Sequence, residues 1–170
     1  HDLVASEALR FVDKNKDRPF FLYLAFTIPH ANNEGGRAVG DGMEVPDYGI
    51  YADRDWSNIE KGQAAMITRM DGDVGRLIAL LKELQIDERT LVLFTSDNGH
   101  YKGEHGLAGK WLMHEPSLRV PGFLFDPRQP GGKTTDKMVI TTDFSTTMMA
   151  LAGLDIPQDM SGRDLTTLYS

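Results

Sequence analysis

Residues 91 to 110, LVLFTSDNGHYKGEHGLAGK, place the groups most able to do chemistry close together. An apolar run ends on Asp97 and Asn98, and His100, Lys102, His105 and Lys110 follow shortly after. A carboxylate beside an amide carbonyl supplies two hard oxygen donors, a set that suits Ca²⁺ or Mg²⁺ better than softer metals. D-N-G is also a strong turn former, so a plain turn explains the same tripeptide. Two ligands fall short of the roughly six to eight oxygens Ca²⁺ takes, and any such site draws on residues elsewhere. Lys110 follows glycines at 99, 103, 106 and 109, which let the backbone bend sharply and aim the ammonium at an anion. A surface lysine is the alternative. His30, His100, His105 and His114 are candidates for acid, ligand or surface roles, and their spacing contains no H-E-x-x-H zinc pattern.

Three other strings imitate chemistry and fail on inspection. DKNKDR at 13 to 18 alternates acids and amides like a calcium loop, but Arg18 stands where the turn glycine belongs. MDGDVG at 70 to 75 puts Gly75 at the third ligand position and Lys82 at the twelfth, so both strings read as solvated polar stretches. Glu115 and Arg119 sit one helical step apart and read as a surface pair worth about 0.3 to 0.5 kcal/mol.

The elements that must position these residues follow from periodicity. Val4, Ala8, Phe11 and Val12 predict a short amphipathic helix that ends before Pro19. FFLYLAF at 20 to 26 reads as a strand covered on both faces, with His30 just beyond it. Residues 31 to 55 read as a long surface loop, a kind that is usually functional or disordered. From 57 to 84, apolar residues at three- and four-residue steps predict one long helix. LVLFTS, VPGFLFD at 120 to 126 and KMVIT at 137 to 141 read as further strands, and a last helix runs from about Asp143, as N-cap, to Gly153. This alternation predicts an α/β fold with a largely parallel sheet flanked by helices. In such sheets ligands collect at the carboxyl ends of strands, where Asp97 and Asn98 lie.

The whole chain narrows the function further. Its 170 residues, 41% hydrophobic, suffice for one compact domain. A net charge of −7 argues against nucleic acid as a partner. No apolar run approaches the roughly 20 residues that span a bilayer. The absence of cysteine excludes disulfides, thiolate ligands and a thiol nucleophile within these residues, and leaves localisation open.

In order, PFFLYLAFTIPH, RMDGDVGRLIALLKEL, TLVLFTSDNG, GEHGLAGK, EPSLRVPGFLF and SGRDLTTL resemble the sulfatase family of the alkaline phosphatase-like superfamily, with the arylsulfatase and glucosamine-6-sulfatase branches nearest. The resemblance covers nearly the whole chain. It implies that Asp97 and Asn98 are two of the family's calcium ligands, that Lys110 contacts the sulfate and the leaving-group oxygen, and that His30 acts beside the same group. It places His105 in the lining of the substrate pocket. It implies a small sulfated sugar or aryl sulfate as substrate and a periplasmic, secreted or lysosomal location.

The family attacks sulfur with a formylglycine made from the first residue of a Cys or Ser, x, Pro, x, Arg motif, with further aspartates near the start of the domain. Neither is present: His114-Glu115-Pro116-Ser117-Leu118-Arg119 has His at the nucleophile position and its arginine one place late. The expectation is therefore a single α/β domain over residues 1–170, part of a sulfatase catalytic domain without its nucleophile segment or its smaller C-terminal subdomain. Such a piece is expected to be inactive alone. Two rivals stand beside this reading: a phosphodiester or phosphonate monoester hydrolase of the same superfamily, and a non-catalytic binding module.

Overall fold

The computed structural model describes residues 1–35, 40–129 and 131–168. Residues 36–39, within the expected loop at 31 to 55, lie outside them. The chain falls into two compact units, His1–Thr90 and Leu91–Ser170.

In the first unit, helix α1 (Asp2–Asn15) buries Ala5, Ala8, Val12 and Asn15, one stripe at helical spacing. The expected stripe is rotated slightly, since Val4 and Phe11 are exposed while Ala5 is buried. Asn15 ends the helix by turning its amide inward: Nδ2 donates to the Phe11 carbonyl at 2.7 Å, and Oδ1 accepts from Arg18 Nε at 2.8 Å. An asparagine that bonds nearby backbone competes with helix propagation. Helix α2 (Asn58–Glu83) begins at a capping box, in which Ser57 Oγ accepts from Glu60 N at 3.3 Å and Glu60 Oε2 accepts from Ser57 N at 2.8 Å. The Ser57 N–H holds the Glu60 carboxyl below its usual range. Gly62 lets α2 approach the loop closely, because a Cβ there would collide with the Met43 side chain. Arg69 on α2 reaches Asp2 on α1 at 2.6 Å and ties the helices together.

The segment 20–26 is extended but has no ladder partner among the described residues. Phe21, Tyr23 and Ala25 are exposed, whereas Leu22, Leu24 and Phe26 are half-buried. This is the alternation of a chain covered on one face, and it corrects the expectation of a strand covered on both.

In the second unit, β1 (Val92–Thr95) pairs with β4 (Gly122–Phe125), from Val92↔Phe125 to Thr95↔Gly122. β2 (Tyr101–Lys102) pairs with β3 (Ala108–Gly109). Both pairs are antiparallel, where a largely parallel sheet was expected; the α/β class holds, but the ladders run the other way. Apolar composition signals burial and says nothing about the direction of the neighbouring strand. The residues at 137 to 140 form no strand, and Ile140 instead leads directly into a helix.

Helix α3 (Glu115–Leu118) is one short turn, and α4 (Thr141–Leu151) is the last long helix. Asp143 lies inside α4 rather than at its N-cap, yet it still satisfies the helix start, with Oδ2 accepting from Ile140 N at 3.0 Å. Its other oxygen accepts from Arg163 N at 2.7 Å. Thr147 Oγ1 accepts from Leu165 N at 2.9 Å, so two side chains of α4 clasp the returning segment 161–165. Gly162, at φ +119, passes so close to the Thr142 carbonyl that a side chain there would collide with it.

Candidate functional site

β1 ends at Thr95, whose hydroxyl donates to the Pro121 carbonyl at 3.0 Å, and Asp97 and Asn98 follow immediately. Their backbone is pinned: Ser96 Oγ donates to the Asn98 carbonyl at 2.9 Å, and Gly99 N donates to the Ser117 carbonyl at 2.8 Å. Gly99 is required by proximity, because a Cβ there would collide with the Pro116 carbonyl and lie 3.0 Å from that of Arg119. The glycine of D-N-G thus seats the loop against the turn of α3, which the turn-former reading did not foresee.

The side chains at this point are left available. Among the described residues no cation pairs with the Asp97 carboxylate, whose one polar contact is a long 3.5 Å approach from Ser96 Oγ. The Asn98 amide makes no hydrogen bond among the described residues. An exposed carboxylate and a half-buried amide, both unspent and fixed on a pinned backbone, fit a hard divalent cation as two of its oxygen ligands.

The glycine-rich stretch folds back on itself. Gly103 (φ +118), His105 (φ +58) and Gly106 (φ +70) turn the chain with left-handed backbone, and Glu104 braces the turn by accepting from Lys102 N at 2.5 Å. That bond holds the Glu104 carboxyl below its usual range. The β2–β3 register pairs Tyr101 with Gly109, and Lys110 follows directly on the returning strand. Lys110 is half-buried, its carbonyl accepts from Ser117 Oγ at 2.8 Å, and its ammonium has no acidic partner among the described residues. Ser117 therefore holds both ends of the fold-back, at Gly99 and at Lys110, a role that no residue pattern announced.

His105 lies beside His114, ring centroids 5.0 Å apart, and both stand edge-on to the buried ring of Tyr101. Tyr101 anchors this cluster through its hydroxyl, which donates to the Leu112 carbonyl at 3.3 Å. An apolar body with one polar end at the start of a hairpin was the available signal for Tyr101. Glu115 and Arg119 are both exposed and 4.0 Å apart, the surface pair expected. His30 belongs to the first unit, where it closes a turn whose Ile28–Pro29 peptide is cis; its N–H donates to Thr27 O at 3.1 Å, and Nδ1 lies 2.7 Å from Ala31 O.

A family model described as sulfatase matches residues 1–154. The chain belongs to the sulfatase family. The N-acetylgalactosamine-6-sulfatase of Canis lupus familiaris is 33% identical over 94% of this chain and 30% of that protein. The solved structure of Ps i-CgsB in complex with k-i-k-neocarrahexaose is 31% identical, with a TM-score of 0.81 over 96% of this chain and 37% of that one. BT4656, solved with its substrate D-glucosamine-2-N,6-O-disulfate, is 28% identical, with a TM-score of 0.62 over 65% of this chain and 23% of its own. The chain spans about a third of the length of the relatives it matches. No helix among the described residues is long and apolar enough to cross a membrane.

Proposed function

We propose that these residues supply the metal-binding and leaving-group side of the active site of a sulfuric ester hydrolase that cleaves the sulfate ester of a sugar or aryl alcohol outside the cytoplasm. The observation that carries this reading is the unspent pair Asp97 and Asn98 on a pinned strand end, with the hairpin returning Lys110 to the same neighbourhood. Asp97 and Asn98 would hold Ca²⁺, which supplies charge neutralisation for the sulfuryl oxygens as the S–O bond breaks. Lys110 binds a sulfate oxygen and stabilises the negative charge that grows toward the leaving oxygen. His30, when protonated, gives its proton to the departing alkoxide. His105, steadied by Tyr101 and His114, lines the pocket for the alcohol group. No step assigned to these residues is nucleophilic, and a formylglycine elsewhere in the protein is the expected nucleophile.

The test is steady-state hydrolysis of an aryl sulfate by the full-length protein. Removing one preorganised charge-stabilising group commonly costs about 10² to 10³ in kcat, and Lys110→Ala is expected to fall in that range. His30→Ala is expected to lose more on a substrate with a poorly acidic alcohol than on one with an activated phenol, because only the first needs the proton. Equal losses on both substrates would remove His30 from the acid role. Retention of full activity by Lys110→Ala would overturn the assignment of the hairpin.

A further inference from the structure

The first unit holds a second cluster that the proposed reaction leaves unused. The His1 ring packs on Phe26 with centroids 4.7 Å apart, and its side chain is only 6% exposed. Nδ1 has no polar partner among the described residues, and Nε2 lies 2.6 Å from Asp73 Oδ2 without a directed hydrogen bond to it. A buried ring nitrogen left unsatisfied is costly, so a group in this state points to a missing partner. Asp73 comes from the MDGDVG string expected to be solvated, yet its side chain is 12% exposed. Asp2 completes the group: one ligand atom from each of His1, Asp2 and Asp73 lies within 4.8 Å of the other two. Arg69 and Arg76 each pair with one carboxylate through its Oδ1, of Asp2 and of Asp73 respectively. A groove lined by Asp2, Thr68, Arg69, Gly72, Asp73 and Arg76 opens the cluster to solvent.

We propose that His1, Asp2 and Asp73 form a second metal site, for a borderline divalent transition ion such as Zn²⁺. An imidazole nitrogen with two carboxylates is a donor set such ions accept, whereas Ca²⁺ takes oxygen alone. Three protein ligands leave a fourth position for water through the groove. A tetrahedral ion with bonds of about 2.0 Å holds its ligand atoms about 3.3 Å apart. His1 Nε2 and Asp73 Oδ2, at 2.6 Å, therefore part by about 0.7 Å on binding, within reach of a small side-chain rotation. The arginines already balance the two carboxylates, so the ion displaces Arg76, whose side chain is more than half exposed and free to swing outward.

The experiment is a calorimetric titration of the purified protein with Zn²⁺ alone, in the presence of excess Ca²⁺, and with Co²⁺ absorption as an independent readout. The α-amine of the sample is acetylated so that no terminal amine can chelate. The expected result is one saturable Zn²⁺ site whose affinity falls at least tenfold in His1→Ala and in Asp73→Asn, rises in Arg76→Gln, and is unmoved by Asp97→Ala. Far-UV circular dichroism checks folding, and His1→Gln replaces any variant that fails it. Absence of saturable binding, or binding indifferent to both His1 and Asp73 substitutions, overturns the site and leaves a buried ion pair only.

Discussion

Asp143→Asn isolates the clasp that fastens segment 161–165 to α4. Asp143 is almost fully buried, and its two oxygens take separate backbone donors, Ile140 N at 3.0 Å and Arg163 N at 2.7 Å. Hydrogen bonds to a charged group contribute about 1.5 to 3 kcal/mol each. Asparagine keeps one acceptor and turns an NH₂ toward the other N–H, so one bond is lost and two donors face each other. A loss of about 2 to 3 kcal/mol is expected, which corresponds to a fall of roughly 30- to 150-fold in amide-exchange protection at Arg163. The N–H of Ile140, and then that of Arg163, hold the Asp143 carboxyl below its usual range against the opposing effect of burial. A carboxyl depressed in the folded state stabilises fully above its unfolded pKa of about 3.9, and that contribution disappears as pH falls through the lower folded value. The wild-type protein should therefore lose stability below about pH 4 more steeply than Asp143→Asn, which has no proton to take up there. Hydrogen exchange read by mass spectrometry and urea unfolding at several pH values measure both effects. Unchanged protection at Arg163 in the variant, with an unchanged acid slope, would refute the clasp.

Further expectations follow from single contacts. Gly99→Ala drives a methyl into the Pro116 and Arg119 carbonyls, so the loop shifts; a loss of about 1 to 3 kcal/mol in urea unfolding and weaker Ca²⁺ binding by calorimetry are expected together. Ser57→Ala removes the N-cap of α2 and should lower stability by about 1 kcal/mol in the same unfolding assay. The 170-residue segment alone should show no turnover of an aryl sulfate and only weak Ca²⁺ affinity, because two of the roughly six to eight oxygens are in hand. Submicromolar binding in a titration of that segment would contradict the count of ligands.

Much of the helical structure was legible because its signal is local. The three- and four-residue apolar steps from 57 to 84 place α2 within a residue at each end. β1 and β4 were legible as runs of Val, Leu and Phe, but not as partners, since pairing direction is set by residues far away in sequence. Ile140 and Thr141 had strand-like composition and became a helix start because Asp143 supplies the acceptor that a helix N-terminus needs. Asp97, Asn98 and Lys110 could be singled out by type and spacing, yet the pinning by Ser117 could not, because it acts through main-chain and hydroxyl contacts that any serine can make. His1 and Asp73 lie far apart in the sequence, and only the packing of α1 against α2 brings them within bonding distance.

The one-sided burial of residues 20–26 has a practical side. Phe21 at 70% exposure and Tyr23 at 82% line up on the outer face of an extended segment whose backbone groups have no ladder partner among the described residues. Such a surface is a template for a strand from another molecule. In concentrated solution the isolated segment should therefore behave as a colloid that coagulates, and a charged residue in place of Tyr23 should keep it dispersed.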